Sequence, residues 1–127
     1  MKTQIVINAK IYTGQEIVEN GFIRYAETIK EIGLMAQYVP QENETVFDAT
    51  GKIVIPGMID VHIHGGYDID AMDANSDGLV TLGKEMLKEG VTTYFPTTMT
   101  QAPEAIEAAL TAAKEAKEKE HISNIFT

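Results

Sequence analysis

Cysteine is absent from all 127 residues, which excludes a disulfide framework and thiolate metal sites, so any bound metal must use histidine and carboxylate ligands. Cationic side chains are scarce. Ten Lys and Arg stand against nineteen Asp and Glu, for a formal net charge of −9. That balance argues against a nucleic-acid partner, because phosphates demand clustered cations, and against docking on anionic lipid. Long apolar runs are missing too, none approaching the ~20 residues that a membrane span needs. The opening MKTQIVINAKIYTG alternates polar with apolar residues, so it does not read as a signal peptide. Internal repeats and low-complexity tracts are likewise absent. The expected setting is cytoplasmic, with neither membrane nor nucleic acid as partner.

What is present divides near Pro56. Residues 1–55 read as a small β module, part of a β-sandwich or roll. Ile5, Ile7, Ala9 and Ile11 give the period-2 pattern of a half-buried strand, ending at Thr13-Gly14. Short strands are predicted at Ile17-Val18, at 21–25, at 29–34 and at 45–47. Glu19-Asn20-Gly21 reads as a hairpin turn, since Asn-Gly tolerates positive φ. Gln37 to Thr45 is a polar loop, and 48–51 a turn.

Residues 56–127 change texture to strand, loop and helix in alternation, the mark of βα units on a parallel sheet. Ile59 to His64 is strand-like. Asn75 or Ser76 can cap a helix running toward Glu89, with Gly90 just beyond its end. Leu79, Leu82, Gly83, Met86 and Leu87 form its apolar stripe. Val91 to Phe95 is a β-branched and aromatic strand. Pro103 opens a second helix, whose buried stripe is predicted as Ile106, Ala109, Leu110 and Ala113, with Glu115 and Lys119 paired on its exposed end. A third strand is expected to begin at Ile125-Phe126-Thr127.

The chemistry concentrates in Ile55-Pro-Gly-Met-Ile-Asp-Val-His-Ile-His-Gly-Gly-Tyr67. Residues two apart on a strand share a face, which sets Asp60, His62 and His64 on one side and Ile59, Val61 and Ile63 on the other, toward a helix layer. Gathering three ionisable groups is costly unless a cation compensates. Neutral imidazoles suit Zn²⁺ or Fe²⁺, and a carboxylate two residues upstream can hold one ring in its tautomer. A bare His-x-His pair is a weak signal. The apolar spacing, the preceding Pro-Gly and the following Gly65-Gly66 strengthen it. Asp68, Asp70 and Asp73 read as a solvated acidic loop, and His121 as an ordinary surface residue. Thr97, Thr98 and Thr100 either line a pocket or satisfy local backbone groups.

The Pro56–Gly66 stretch resembles the first-strand signature of the amidohydrolase superfamily. Tyr67-Asp-Ile-Asp-Ala-Met-Asp73 and Glu89-Gly-Val-Thr-Thr-Tyr-Phe-Pro-Thr-Thr-Met-Thr100 narrow the likeness to its N-acetylglucosamine-6-phosphate deacetylase branch. The resemblance implies an α/β fold: a small β-sandwich-like module, then the first βα units of a (β/α)₈ TIM-type barrel, which takes about 250 residues to close. It implies a phosphorylated N-acetylamino sugar as substrate. A metal-activated water would hydrolyse its acetamide, giving glucosamine 6-phosphate and acetate, with one or two divalent ions as cofactor. It also implies a homodimer at full length. His62 and His64 are the candidate metal ligands and Asp60 their supporting carboxylate. The branch's remaining ligands and its catalytic Asp are expected beyond Thr127. The barrel portion therefore reads as truncated and the isolated chain as inactive. Another cyclic-amide hydrolase of the superfamily, or a non-catalytic metal-binding or interaction fragment, are the competing readings.

Overall fold

Strand β1 (Gln4–Tyr12) is the hub of the N-terminal sheet. β2 (Ile17–Tyr25) pairs with it antiparallel, and β3 (Ile29–Leu34) pairs antiparallel with β2. On its other edge β1 takes two parallel partners, β4 (Thr45–Asp48) and β5 (Ile53–Val54). The sheet order is β3-β2-β1-β4, with β5 also on β1. This computed structural model describes residues 2–119 and 124–125. The chain divides into two compact units, Met1–Pro56 and Gly57–Thr127.

Two predictions fail in the first unit. The register shift between Val6 and Ala9 sets Ile5 on the face opposite Ala9 and Ile11, so the alternation from Ile5 to Ile11 is broken by a bulge. Ile17 to Tyr25 is a single strand, and Glu19-Asn20-Gly21 lies inside it. The β1–β2 register shifts on both sides of Ala9↔Gly21, so Glu19-Asn20 marks a bulge rather than a turn. Gly21 is needed for closeness: a Cβ there would stand 2.6 Å from Val18 Cγ1 and 2.9 Å from the Gly33 carbonyl oxygen. The true turn is at 13–16. There Thr13 N–H donates to the Glu16 carbonyl at 3.1 Å, and Thr13 Oγ1 accepts from the Gln15 and Glu16 amides.

Ala9, Ile11, Val18, Ile23 and Ala49 are buried on one face of this sheet. The opposite face buries Ile5, Phe22 and, unusually, Arg24, which is 5% exposed. The Arg24 guanidinium bonds the carboxylates of Glu44 and Glu31 and donates to the Val39 carbonyl at 2.8 Å. Its central carbon lies 5.6 and 5.8 Å from the Phe22 and Tyr38 ring centroids. The irregular stretch after β3 is thereby held on the sheet.

The second unit is built on a parallel sheet of order β10-β9-β6, from β6 (Met58–Ile63), β9 (Val91–Pro96) and β10 (Asn124–Ile125). Between β6 and β9 come a hairpin, β7 (Gly65–Gly66) and β8 (Ile69–Asp70), and helix α1 (Ser76–Lys88). Helix α2 (Pro103–Lys119) joins β9 to β10. Asn75 caps α1, its side chain accepting from Gly78 N–H at 3.0 Å. Gly90, at φ 86°, follows the helix end and its carbonyl receives the Met58 amide at 2.9 Å.

Leu79, Leu82, Met86, Tyr94, Ala113 and Ala116 make the core of this unit. Tyr94 is fully buried, and its hydroxyl donates to the Leu79 carbonyl at 2.6 Å. Helix α2 buries Ala109, Ala112, Ala113 and Ala116, while Leu110 is 50% exposed, against prediction. The spacing 109, 112, 113, 116 is one helical face, and residue 110 falls on its flank. Lys119 bonds Ser76 Oγ and Asp77 instead of Glu115, because an exposed i,i+4 pair is worth only a few tenths of a kcal/mol and is readily outcompeted. Ile59 and Val61, expected against helices, are exposed. β6 is an edge strand among the described residues, with a register irregularity between Asp60 and Ile63. His121 lies outside the described residues.

Candidate metal centre

The C-terminal end of β6 is pinned on both sides by backbone. Thr97 N–H donates to the Ile63 carbonyl, and Ala71 N–H to the His64 carbonyl, each at 2.8 Å. Gly65 is required between them, since a Cβ would sit 2.1 Å from the Ile69 carbonyl oxygen. The chain then reverses through Tyr67 and Asp68, both left-handed at φ 55° and 59°. Two such residues between paired strands are the signature of a type I′ hairpin, here without the customary Asn-Gly. Non-glycine residues in this region carry strain, and this hairpin directly follows the candidate ligands.

His62 and His64 are brought together. Their rings meet edge to face with centroids 5.0 Å apart, and the two Nε2 atoms are separated by 3.3 Å. Nδ1 of His64 lies 2.8 Å from the Thr97 carbonyl oxygen. Asp60 belongs to the same strand end, but its carboxylate accepts from the backbone N–H of His62 at 3.1 Å. The bond braces the strand at His62. The ring contact comes instead from Thr97, a partner not legible in the residues because every residue carries a carbonyl.

The nitrogen pair fits a divalent ion. With Zn–N bonds of about 2.0–2.1 Å, tetrahedral geometry sets two nitrogen ligands about 3.3–3.4 Å apart. Among the described residues no group of three His, Cys, Asp or Glu side chains converges to hold an ion. An open groove beside His64 is lined by Gly65, Gly66, Asp68, Ile69, Asp70 and Asp73. Two of its carboxylates have local duties: Asp70 accepts from Met72 N–H at 2.8 Å, and Asp73 from Asp70 N–H at 3.0 Å. Thr97 Oγ1 donates to the Phe95 carbonyl at 3.1 Å. Thr97 thus satisfies a local backbone group, and with Thr98 it also lines a shallow cavity beside Val61, Phe95 and Leu110.

A His-x-His pair ending the first strand of a parallel βα sheet is the pattern to set beside known proteins. Residues 53–123 match the Amidohydrolase family. The chain belongs to that family. Among curated amidohydrolase relatives, the N-acetylglucosamine-6-phosphate deacetylase of Bacillus subtilis is 32% identical over 121 residues, covering 94% of this chain and 30% of that protein. The enzyme of the same name from Lysinibacillus sphaericus is 40% identical over 72 residues, covering 57% of this chain and 19% of its own length. The crystal structure of N-acetylglucosamine-6-phosphate deacetylase from Pasteurella multocida superposes with a TM-score of 0.85 at 23% identity, over 95% of this chain and 32% of that one. That likeness shows the fold: an N-terminal sheet module followed by the opening βα units of the amidohydrolase barrel. The chain spans about 30% of the length of the Bacillus subtilis relative. No helix among the described residues is long and apolar enough to cross a membrane.

Proposed function

We propose that His62 and His64 are two ligands of a divalent metal centre in a hydrolase that deacetylates N-acetylglucosamine 6-phosphate. The observation that carries the metal reading is the 3.3 Å separation of the two Nε2 atoms at the end of β6. The names borne by the relatives support the substrate. A bound divalent ion, Zn²⁺ or Fe²⁺, makes a nucleophilic water available near neutral pH and polarises an amide carbonyl.

The residues of this chain hold and orient. His62 and His64 present imidazole nitrogens to one point, and Asp60 braces the strand at His62. Gly65 lets the chain turn away at once and leaves the space next to His64 open to a ligand. In this reading residues 1–55 are a small β module and residues 56–127 the start of the hydrolase barrel, and whether one or two ions bind depends on ligands outside this chain.

The test is a deacetylation assay on the natural protein that carries this segment, following release of acetate and glucosamine 6-phosphate with and without a chelator. Metal-dependent release that falls at least a hundredfold in His62→Gln and in His64→Gln supports the proposal. Release unaffected by both substitutions, or ring opening of a cyclic amide in place of acetate release, overturns it. Two imidazoles are too few for tight binding, so the 127-residue chain alone is expected to show no sustained turnover. Tight one-to-one Zn²⁺ binding by its monomer would favour a stand-alone metal-binding role.

A further inference from the structure

We propose that the two histidines are not equivalent, and that Thr97 is a positioning residue which presets one of them for the ion while the other must change tautomer to bind. A carbonyl oxygen only accepts, so the 2.8 Å contact between His64 Nδ1 and Thr97 O requires a proton on that nitrogen. When His64 is neutral, its Nε2 therefore carries the lone pair. The opposing Nε2 of His62, 3.3 Å away, makes its hydrogen bond only by donating. In the metal-free neutral pair His62 is thus the Nε2–H tautomer and His64 the Nδ1–H tautomer.

An ion approaching both Nε2 atoms meets a ready ligand in His64 and a protonated one in His62. For His62 to bind through the same nitrogen, the Nε2 proton passes to solvent and Nδ1 takes one from solvent, with no net change in charge. Nothing among the described residues opposes that exchange. His62 is exposed, and among the described residues its Nδ1 has no hydrogen-bond partner. His64 has no such freedom. Thr97 is itself fixed by N–H donation to Ile63 and by Oγ1 donation to Phe95, so its carbonyl is a rigid stop rather than a mobile acceptor. Ring orientation by a backbone carbonyl is a general means of tuning a metal ligand. The feature particular to this chain is its asymmetry. One strand supplies both ligands, and the neighbouring strand's end locks just one of them.

The asymmetry of the metal-free pair is independent of the deacetylase reading, whereas the change at His62 rests on the metal role proposed above. Nitrogen-15 NMR of the ¹⁵N-histidine-labelled chain at mildly alkaline pH tests both, because protonated and lone-pair ring nitrogens resonate far apart. Before any metal, His64 is expected to show a protonated Nδ1 and His62 a protonated Nε2. On adding Zn²⁺ alone, His62 should move its proton to Nδ1 while Nδ1–H of His64 persists. A metal-free His64 protonated at Nε2 overturns the positioning role of Thr97. A metal-free His62 already protonated at Nδ1 overturns the exchange. The expected metal-free pattern with no response even to a large excess of Zn²⁺, enough to populate a weak two-imidazole site, upholds the positioning by Thr97 and counts against the metal reading. A second check is Thr97→Pro, which removes the N–H bond to Ile63. It should leave His64 a mixture of tautomers while the Tyr94 signals stay native.

Discussion

Between Met35 and Glu44 the first unit has an irregular stretch held by a buried charge, whereas the second unit holds its irregular stretch, residues 64–75, by backbone groups and caps. Arg24 reaches carboxylates at positions 31 and 44 and a carbonyl at 39, so one side chain organises residues twenty positions away. In the second unit the contacts are short range or strand to strand: Ala71 to His64, Thr97 to Ile63, Asn75 to Gly78. The difference follows from what each stretch does. A loop that only covers a sheet tolerates a flexible cationic clamp. A loop that follows two candidate ligands needs donors and acceptors that cannot swing, and backbone supplies them.

The comparison is broken most severely at Tyr94. Replacing it with Ala removes a fully buried ring and its hydroxyl bond, with an expected loss of about 3–5 kcal/mol in chemical denaturation of the second unit. The corresponding blow to the first unit is Glu44→Gln, which leaves Arg24 short of its main partner. Its effect on the melting temperature should far exceed that of Lys10→Ala, whose exposed pair with Glu19 is expected to contribute little. Restoring stability by the joint replacement Arg24→Met and Glu44→Leu would show that the clamp matters for its completeness rather than its charge.

Acid sharpens the contrast further. The hydrogen bond from Arg24 holds the Glu44 carboxyl below its ordinary range, and bonds from the Thr50 hydroxyl and amide do the same for Asp48. A depressed folded pKa contributes stability that is complete above the unfolded value and is lost as pH falls through the folded one. Both of these carboxylates belong to the first unit. Its backbone amides should therefore lose protection as pH falls through the folded values of these two groups, and in Glu44→Gln the Glu44 share of that loss should be absent, as hydrogen exchange at stepped pH would report.

Smaller effects test the backbone half of the contrast. Gly65→Ala drives a Cβ to 2.1 Å from a carbonyl oxygen and should cost about 1–3 kcal/mol, whereas Gly66→Ala meets only Leu82 Cδ1 at 3.7 Å and should be near neutral. Thermal melts of the two variants decide this. Asn75→Ala removes the α1 cap at about 1 kcal/mol, readable as a matching fall in denaturation free energy.

Much of this was legible in the residues, because local rules act on neighbours. The Asn75 cap, the Leu79–Met86 stripe, the β-branched run before Pro96 and the helix opening at Pro103 are all decided within a few positions. The misreadings lie where partners are remote. Asn20-Gly21 has the chemistry of a turn, yet the packing of Val18, Ile11 and the Gly33 carbonyl around Gly21 keeps it in a strand. Leu110 looks like core because it is apolar, while the four alanines beside it take the contact. The His62–His64 pair was visible as a pattern. Its orientation by the Thr97 carbonyl was not, since that bond spans 33 positions and involves no side chain of the donor strand's neighbour. The Arg24 clamp was equally silent, being one cation among ten in an acidic chain.

The burial of Tyr94 has an optical consequence. The chain contains five tyrosines and no tryptophan, so near 280 nm its absorption comes from tyrosine, and no indole drains the emission. Tyr94 is the tyrosine wholly shielded from water, with its hydroxyl committed to a carbonyl, whereas Tyr67 is about half exposed. Its ring sits in a fixed, chiral, dry environment, the condition for a strong near-ultraviolet circular dichroism band. The second unit thus carries its own chromophore at the middle of its core, and the order of that core can be followed by light without adding a label.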